Sequence, residues 1–317
     1  MPDPVPAADL GTLRHALAIA GQRPGDVLGP DTAHVVAYGR RLVSTQALPG
    51  VSLIARAAGD RIEVSLTVSR EHVAEKPVHL CFGMFEPSCV QNISLDLTMQ
   101  EGASATVWSH CLFMQARVAV HAMQAEVRLK AGARLTYQEV HYHGLSGGVQ
   151  VLPTAHVTVG AGARYTADFT LVQGRVGLLD VDYSVDAAEG GIAELTSKVY
   201  GFGNDVIRIR ETIHLNGAGA RGLVKTRIAV RDDATAEIRG ATFGNAPGAR
   251  GHVDCTEIVR DRAVVSAVPE VKVTHPLAKV THEAAIGSVD ARQLETLLAR
   301  GMDPDAAVDL IIRGMLS

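Results

Sequence analysis

The chain has 317 residues, which is enough to bury a large core without disulfide bonds. Hydrophobic residues make up 47% and aromatic residues only 4%, so the interior is predicted to be aliphatic. The net charge of −4 at pH 7 gives no indication of nucleic-acid binding, which favours a basic surface. This composition, with its 31 glycines, favours stacked β-structure over a helical bundle.

Features of membrane and secreted proteins are missing from the sequence as well. No run of about 18 apolar residues is present, so no membrane-spanning helix is predicted. The first residues carry neither a basic region nor a following apolar run, and no secretory signal is expected. The four cysteines lack CxxC spacing, which is typical of free thiols in a reducing compartment. We therefore expect a cytoplasmic protein.

Residues 1–50 are predicted to form a helical region. Apolar residues recur at near-helical spacing from Ala7 to Arg23, and Pro24 stops the pattern. Asp31 can cap a second helix that reaches Leu42, and Pro49-Gly50 ends the region.

Residues 51–287 change to a pattern that predicts β-structure. Ile62 to Val68 alternates strictly between apolar and polar residues. Gly-Ala pairs begin at Gly102, Gly132 and Gly162, so their spacing is 30 residues both times (132 − 102 and 162 − 132). An alternating run flanks each pair on both sides. Strand, turn and strand at a constant period indicate a solenoid, whose repeats bury their apolar faces only by stacking. The predicted fold class is mainly β, a β-helix or solenoid core between small helical ends.

The last repeats contain an informative substitution. The segment Ala220–Thr226 recurs as Ala249–Cys255, with an offset of 29 residues (250 − 221). If the repeats stack in register, Cys255 lies directly beside Thr226. The cysteine then occupies a structural position of the repeat but differs from it in chemistry.

Residues 288–317 are predicted to be helical again. Asp290 caps one helix, with Gln293 placed as in a capping box, and Asp303-Pro304 begins a second helix. Both helices have an apolar stripe. They are expected to cap the last repeat, to present a docking surface, or to do both.

One candidate functional group lies late in the chain. Cys255, His282 and Glu283 supply thiolate, imidazole and carboxylate, which are the ligand types that hold iron–sulfur clusters, zinc or iron. The alternative is an ordinary half-buried cysteine, because spacing alone does not decide between the two.

Two further candidates lie in the middle of the chain. Glu139, His141 and His143 alternate and so face the same side of a strand, where they can bind non-haem iron or manganese or simply form a polar face. Cys111 is a candidate sulfur relay or a core cysteine. Its neighbour His110 is expected to face the opposite side of the strand.

Motifs for nucleotide chemistry are missing from the sequence. It contains no GxxxxGK[ST] loop, no Rossmann fingerprint after a strand and no GxSxG elbow. The glycines punctuate turns and do not form phosphate-binding loops, so the chain is not expected to bind ATP in the P-loop manner.

Three segments resemble the SufB/SufD family of iron–sulfur cluster assembly scaffolds, in particular its short, archaeal-type form. They are His79–Met84, Gly244–Val259 and Thr281–Asp290, followed by Gln293-Leu294, Ala299–Gly301 and Ile311–Gly314. The His-Glu-Ala segment that begins at His282 is closer to SufB than to SufD.

The resemblance implies a β-helix core whose last strands pair two chains, and C-terminal helices that hold an ABC-type ATPase called SufC. It places a transient iron–sulfur cluster on Cys255, Glu283 and His282, and the presence of all three in one chain suits a homodimer. The implied role is that of a scaffold and not of an enzyme. The sulfur donor and the recipient proteins are not identified by it. Arg250 is expected to lower the pKa of the Cys255 thiol if the turn folds back.

Two other classes of function remain open from the residues alone. One is a metal-dependent enzyme that uses Glu139, His141 and His143. The other is a plain solenoid binding module in which the thiols are incidental.

Overall fold

A computed structural model describes residues 23–317 together with Gly11, Arg14, Leu17 and Ala18. The elements in chain order are α1 (Pro24–Val27), β1 (His34–Tyr38), β2 (Arg41–Gln46), β3 (Val51–Ala58), β4 (Arg61–Val68), β5 (Val78–Gly83), β6 (Ser88–Met99), β7 (Ser104–Phe113), β8 (Val118–Leu129), β9 (Arg134–His143), β10 (Val149–Val159), β11 (Arg164–Gln173), β12 (Gly177–Ala187), β13 (Ile192–Gly201), β14 (Val206–Leu215), β15 (Arg221–Val230), β16 (Thr235–Gly244), β17 (Arg250–Val259), β18 (Val264–Ala267), β19 (Glu270–Val273), β20 (Lys279–Gly287), α2 (Ala291–Ala299) and α3 (Pro304–Leu316).

The strands form two sheets that face each other. Sheet 1 has the order β2-β1-β5-β7-β9-β11-β13-β15-β17-β20, and sheet 2 has the order β18-β16-β14-β12-β10-β8-β6-β4-β3, with β19 also beside β16. Consecutive strands of the core lie in different sheets. Within each sheet, neighbouring strands pair in parallel, except for β1 with β2 and β3 with β4. The result is a β-solenoid of about eight turns, which confirms the predicted fold class.

Glycine turns set the solenoid period. Gly102, Gly132 and Gly162 all have a positive φ, a conformation that glycine adopts without the steric cost of a Cβ. Directly after these turns, Ser104 pairs with Arg134 and Arg134 with Arg164. The repeat of 30 residues in the sequence is therefore one full turn of the solenoid.

The core lies between the two sheets and is aliphatic. In β4 the apolar residues Ile62, Val64, Leu66 and Val68 are buried, while the residues between them point outward. The same alternation continues along the solenoid, since successive side chains of a strand face opposite sides.

The N-terminal region differs from the prediction. The helix predicted from Asp31 to Leu42 is wrong, because this segment forms β1 and β2. Strand β1 pairs in parallel with β5 and is buried on both faces, so its adjacent Val35 and Val36 both meet apolar neighbours. β-Branched residues suit such a strand better than a helix. The predicted boundaries between the N-terminal region, the β-helix core and the C-terminal region, at residues 50 and 287, stay a prediction.

The helix predicted from Ala7 to Arg23 lies mostly outside the described residues. Gly11, Arg14, Leu17 and Ala18 are described and are helical. Leu17 is buried in a small apolar cluster with residues of β1, β5 and β7, on the outer face of sheet 1.

The two predicted C-terminal helices are present with their predicted caps. The Asp290 side chain accepts a hydrogen bond from the Gln293 amide at 2.8 Å, and Asp303 caps α3 in the same way. Helix α3 buries Ile312 and its apolar neighbours against Tyr200 and Ile258, on the outer face of sheet 1. It therefore lies beside the last turns of the solenoid and does not close its end. Among the described residues, no helix has the length and apolar character needed to cross a membrane.

Candidate functional site

Cys255 lies on the inner face of sheet 1, one strand from its end. It pairs in register with Thr226 of β15, as the sequence repeat predicts, and with Ala284 of β20. Only 1% of its surface is exposed. The cysteine thus replaces a threonine in a column of inward-facing side chains.

Two buried carboxyl groups lie close to Cys255, and neither was predicted from the sequence as part of a site. Glu257 accepts a hydrogen bond from the Thr226 hydroxyl at 3.2 Å, and Glu211 accepts one from Ser197 at 2.7 Å. Burial raises the pKa of each carboxyl to about 7. The sequence feature that could have revealed them is a glutamate at a position where the apolar–polar alternation of a strand predicts a buried side chain.

The thiol of Cys255 has a raised pKa. Burial is the main cause, and the neighbouring carboxyls Glu257 and Glu211 add to it, while a hydrogen bond with Thr226 opposes it. The expected lowering by Arg250 is therefore wrong. Arg250 is exposed at the start of β17 and does not turn back toward the thiol.

His282 and Glu283 lie on β20, the last strand of sheet 1, and both are exposed. His282 pairs with Val253 and Glu283 with Asp254. Because paired residues in parallel strands face the same side, His282 shares the inner face with Cys255, whereas Glu283 points to the outer face. Within one chain, the three predicted ligands do not converge.

The end of the solenoid is an exposed edge with apolar side chains. In the described part of the chain, β20 pairs along its length with β17 alone. The apolar residues exposed there are Val264, Val268, Val273, Leu277 and Ile286, which we call the end patch. A long unpaired edge beside an apolar patch is a surface that other chains can cover.

The second candidate group is fully inside the solenoid. Glu139, His141 and His143 are buried on the inner face of β9, which confirms that they point together. Cys111 pairs in register with His141 and joins the group, whereas His110 faces the outer side and contacts His79. Ligand atoms of Cys111, Glu139 and His141 all lie within 4.8 Å of one another.

One column of side chains on the inner face of sheet 1 runs from the candidate group around Glu139 to the candidate group around Cys255. Its members, related by strand register, are Ser109, Glu139, Phe169, Ser197, Thr226, Cys255 and Ala284. Glu139 and Cys255 are four strands apart, or about 19 Å. A cavity of about 20 Å³, room for one water molecule, lies between Glu139 and Glu211.

Comparison with known proteins identifies relatives along almost the whole chain. Residues 88–315 match the family described as the SufBD core domain of the SUF system for FeS cluster assembly. An iron–sulfur cluster assembly SufBD family protein of Methanocaldococcus jannaschii is 33% identical over 308 residues, or 97% of this chain and 98% of the relative. Another from Pyrococcus horikoshii is 28% identical over 92% of this chain and 88% of the relative.

The fold and the inward-facing thiols define this protein as a β-solenoid with polar groups built into its interior. The chain belongs to the SufBD family, as its sequence segments predict, and its role is in iron–sulfur cluster assembly.

Proposed function

We propose that the chain is a scaffold that holds a nascent iron–sulfur cluster at a homodimer interface and works with a SufC-like ABC ATPase. Cys255, His282 and Glu283 are the proposed ligands. The cluster is cargo: it is built on the scaffold and then passed to recipient proteins.

The position of Cys255 beside the open end of the solenoid carries this proposal. The thiol is one strand from an edge that carries His282 and Glu283 and that is flanked by the end patch. A second copy pairing through this edge would bring two thiols and two sets of β20 ligands to one interface. That doubling supplies ligands that a single chain lacks.

Access to Cys255 requires β20 to move. Its thiol is buried, and Glu283 lies on the opposite face of the sheet. A shift of β20 away from β17 would expose the thiol and free the backbone that orients Glu283. Such a shift needs a ligand or partner that binds the open state better than the closed one.

An ABC ATPase that docks on α2 and α3 is the proposed source of that movement. Helix α3 is anchored on β13, β15 and β17 through Tyr200, Ile258 and an Arg260–Asp305 ion pair. Helix α2 has no buried residue and presents its surface to solvent. Force applied to these helices reaches the strand that holds Cys255 directly.

Anaerobic reconstitution tests the assignment of the site. The chain and its candidate ATPase are incubated with iron and sulfide, and bound iron, acid-labile sulfide and the visible spectrum are measured. We expect Cys255→Ser to lower cluster retention at least about tenfold, because thiolate is the strongest iron ligand of the set.

The matched control for that experiment is Cys81→Ser, which changes a buried thiol on the outer side of sheet 1. It should retain the cluster, and both variants should still bind the ATPase. Equal retention by wild type and Cys255→Ser would refute the site.

A further inference from the structure

Three metal-ligating side chains converge inside the solenoid, far from the end patch, and a fourth side chain contacts one of them. Cys111, Glu139 and His141 come from sheet 1, and His121 of β8 in sheet 2 contacts Cys111. The His121 Nε2 atom lies 3.6 Å from the Cys111 Sγ atom, and the His141 Nε2 atom lies 2.8 Å from a Glu139 carboxyl oxygen. All four side chains are at most 2% exposed.

Hydrogen bonds determine which nitrogen of His121 carries a proton. The Gln91 amide nitrogen donates to the Gly39 carbonyl at 2.6 Å, so its oxygen faces the His121 Nδ1 atom at 3.0 Å. An amide oxygen can only accept, so His121 Nδ1 is protonated. In the neutral ring, the Nε2 atom then presents its lone pair to Cys111.

A second chain of hydrogen bonds orients His141 in the same way. His143 Nδ1 donates to the Arg175 carbonyl at 3.2 Å, which leaves the His143 Nε2 atom as an acceptor. His141 Nδ1 donates to that atom at 3.4 Å. The neutral His141 ring therefore directs the lone pair of its Nε2 atom at Glu139.

The rings of His121 and His141 are thus each held by the N–H group at Nδ1, and the lone pair of each Nε2 atom points toward the other metal-ligating side chains. Metal-bound histidines are oriented by second partners in this manner. Without a metal ion, two protons must neutralise the group: one shared by Cys111 and His121, and one by Glu139 and His141. One divalent cation replaces both protons and leaves the buried charge unchanged.

We propose that Cys111, His121, Glu139 and His141 form a binding site for a divalent transition-metal ion such as Zn²⁺ or Fe²⁺. Tetrahedral coordination places a sulfur and a nitrogen ligand about 3.6 Å apart, which matches the Cys111–His121 distance. Nitrogen and oxygen ligands would be about 3.4 Å apart, so Glu139 must withdraw by roughly half an ångström. The cavity beside Glu139 gives it room. His121 lies outside the group whose ligand atoms are within 4.8 Å of one another, so it must also move toward Glu139 and His141.

This site is separate from the proposed cluster site and does not depend on it. The two differ in strand and in partners, and Cys255 contributes nothing to the interior group. Because the site is closed to solvent, we expect the metal ion to enter during folding or through local opening, and to leave slowly.

Cobalt substitution tests the proposal directly. The full chain is refolded with Co²⁺, dialysed against a weak chelator, and its metal content and visible spectrum are measured. We expect one Co²⁺ per chain, with the intense absorption of four-coordinate cobalt and a thiolate-to-cobalt charge-transfer band. Zn²⁺ should displace it and abolish both signals.

Variants identify the ligands. Cys111→Ser should remove the charge-transfer band, and Glu139→Gln should weaken metal binding at least about tenfold, because it removes one of the two charges that balance the cation. Cys255→Ser and Cys81→Ser are the matched controls and should keep the wild-type spectrum. Circular dichroism verifies that each variant is folded. A wild-type chain that holds no stoichiometric metal, or a thiolate band that survives Cys111→Ser, would overturn the proposal.

Discussion

At the scale of single residues, the repeat shows which structural positions are occupied by reactive side chains. Thr226 and Cys255 occupy equivalent positions in neighbouring strands, yet only the second offers a thiol. Glu257 stands at an inward position that isoleucines fill in both neighbouring strands, and Glu211 stands between Tyr183 and Gly240. Burying a carboxyl group costs free energy unless it is protonated or paired, so these residues are tolerated in the core at the expense of stability.

Buried histidines make a testable contribution to acid sensitivity. His79 is 5% exposed, and burial, followed by the nearby His34, lowers its pKa to about 4, while Asp26 opposes the shift. Burial also lowers the pKa of His34, and His110 is hydrogen-bonded to the His79 ring. Well above pH 6.5, His79 is neutral in both folded and unfolded chains and contributes no pH dependence.

Between about pH 6.5 and pH 4 the unfolded chain binds a proton at His79 that the folded chain does not. The free energy of unfolding therefore falls as the pH falls, by about 3 kcal/mol in total from this residue. We expect His79→Gln to lose stability less steeply across this window, as measured by urea unfolding at a series of pH values. The difference in unfolding free energy between the two proteins should be constant above pH 7. If the unfolding free energies of wild type and His79→Gln differ by the same amount at every pH, the prediction is contradicted.

At the scale of elements, α3 is held by a few buried side chains on the outer face of sheet 1. Ile312 is 1% exposed against Tyr200 and Ile258, whereas Leu310, on the same helix, is 49% exposed. The apolar stripe predicted from the sequence is therefore the surface that fixes the helix to the solenoid. The opposite side of α3, together with α2, remains available to a partner.

Truncating Ile312 should detach this helix. We expect Ile312→Ala to cost about 2–4 kcal/mol, because it leaves a cavity in a small cluster. Hydrogen exchange of the α3 amides should accelerate while the core strands stay protected. Leu310→Ala is the matched control and should change stability by less than about 0.5 kcal/mol. Equal effects of the two substitutions would show that α3 is not anchored through Ile312.

At the scale of the whole molecule, one end of the solenoid carries a long strand that, among the described residues, is paired on one side only. Strand β20 has nine residues, and the end patch surrounds it with exposed aliphatic side chains. Native proteins normally shield such edges, and a second copy of the chain is the shield that we propose.

A charge placed in the end patch should prevent dimer formation. We expect the wild-type chain to dimerise and Ile286→Glu to raise the dimer dissociation constant at least about tenfold, because two carboxylates would be buried at one interface. Sedimentation velocity over a range of protein concentrations measures this effect. Val118→Glu, which alters an exposed residue of β8 well away from the patch, should leave the dimer intact. A wild-type chain that stays monomeric at every concentration would refute the dimer.

Local patterns in the sequence were enough to predict the solenoid. Alternation along a strand, a glycine at each turn and a constant period depend on neighbouring residues, so they predicted the register of Thr226 with Cys255 and the common face of Glu139, His141 and His143. The caps of α2 and α3 are equally local. The same patterns failed at β1, where tertiary burial of both faces outweighed a plausible helix cap.

Only the tertiary structure decided which reactive groups from different strands meet. Cys111 and His141 are 30 residues apart (141 − 111) and become neighbours because one solenoid turn has that length. His121 reaches Cys111 from the opposite sheet, across the core. Conversely, the adjacent residues His282 and Glu283 are directed to opposite faces of β20. The sequence by itself determined the repeat and the family, because both reside in short segments. The convergence of the interior ligands depends on how successive turns stack and how two sheets face each other, which is a property of the folded chain.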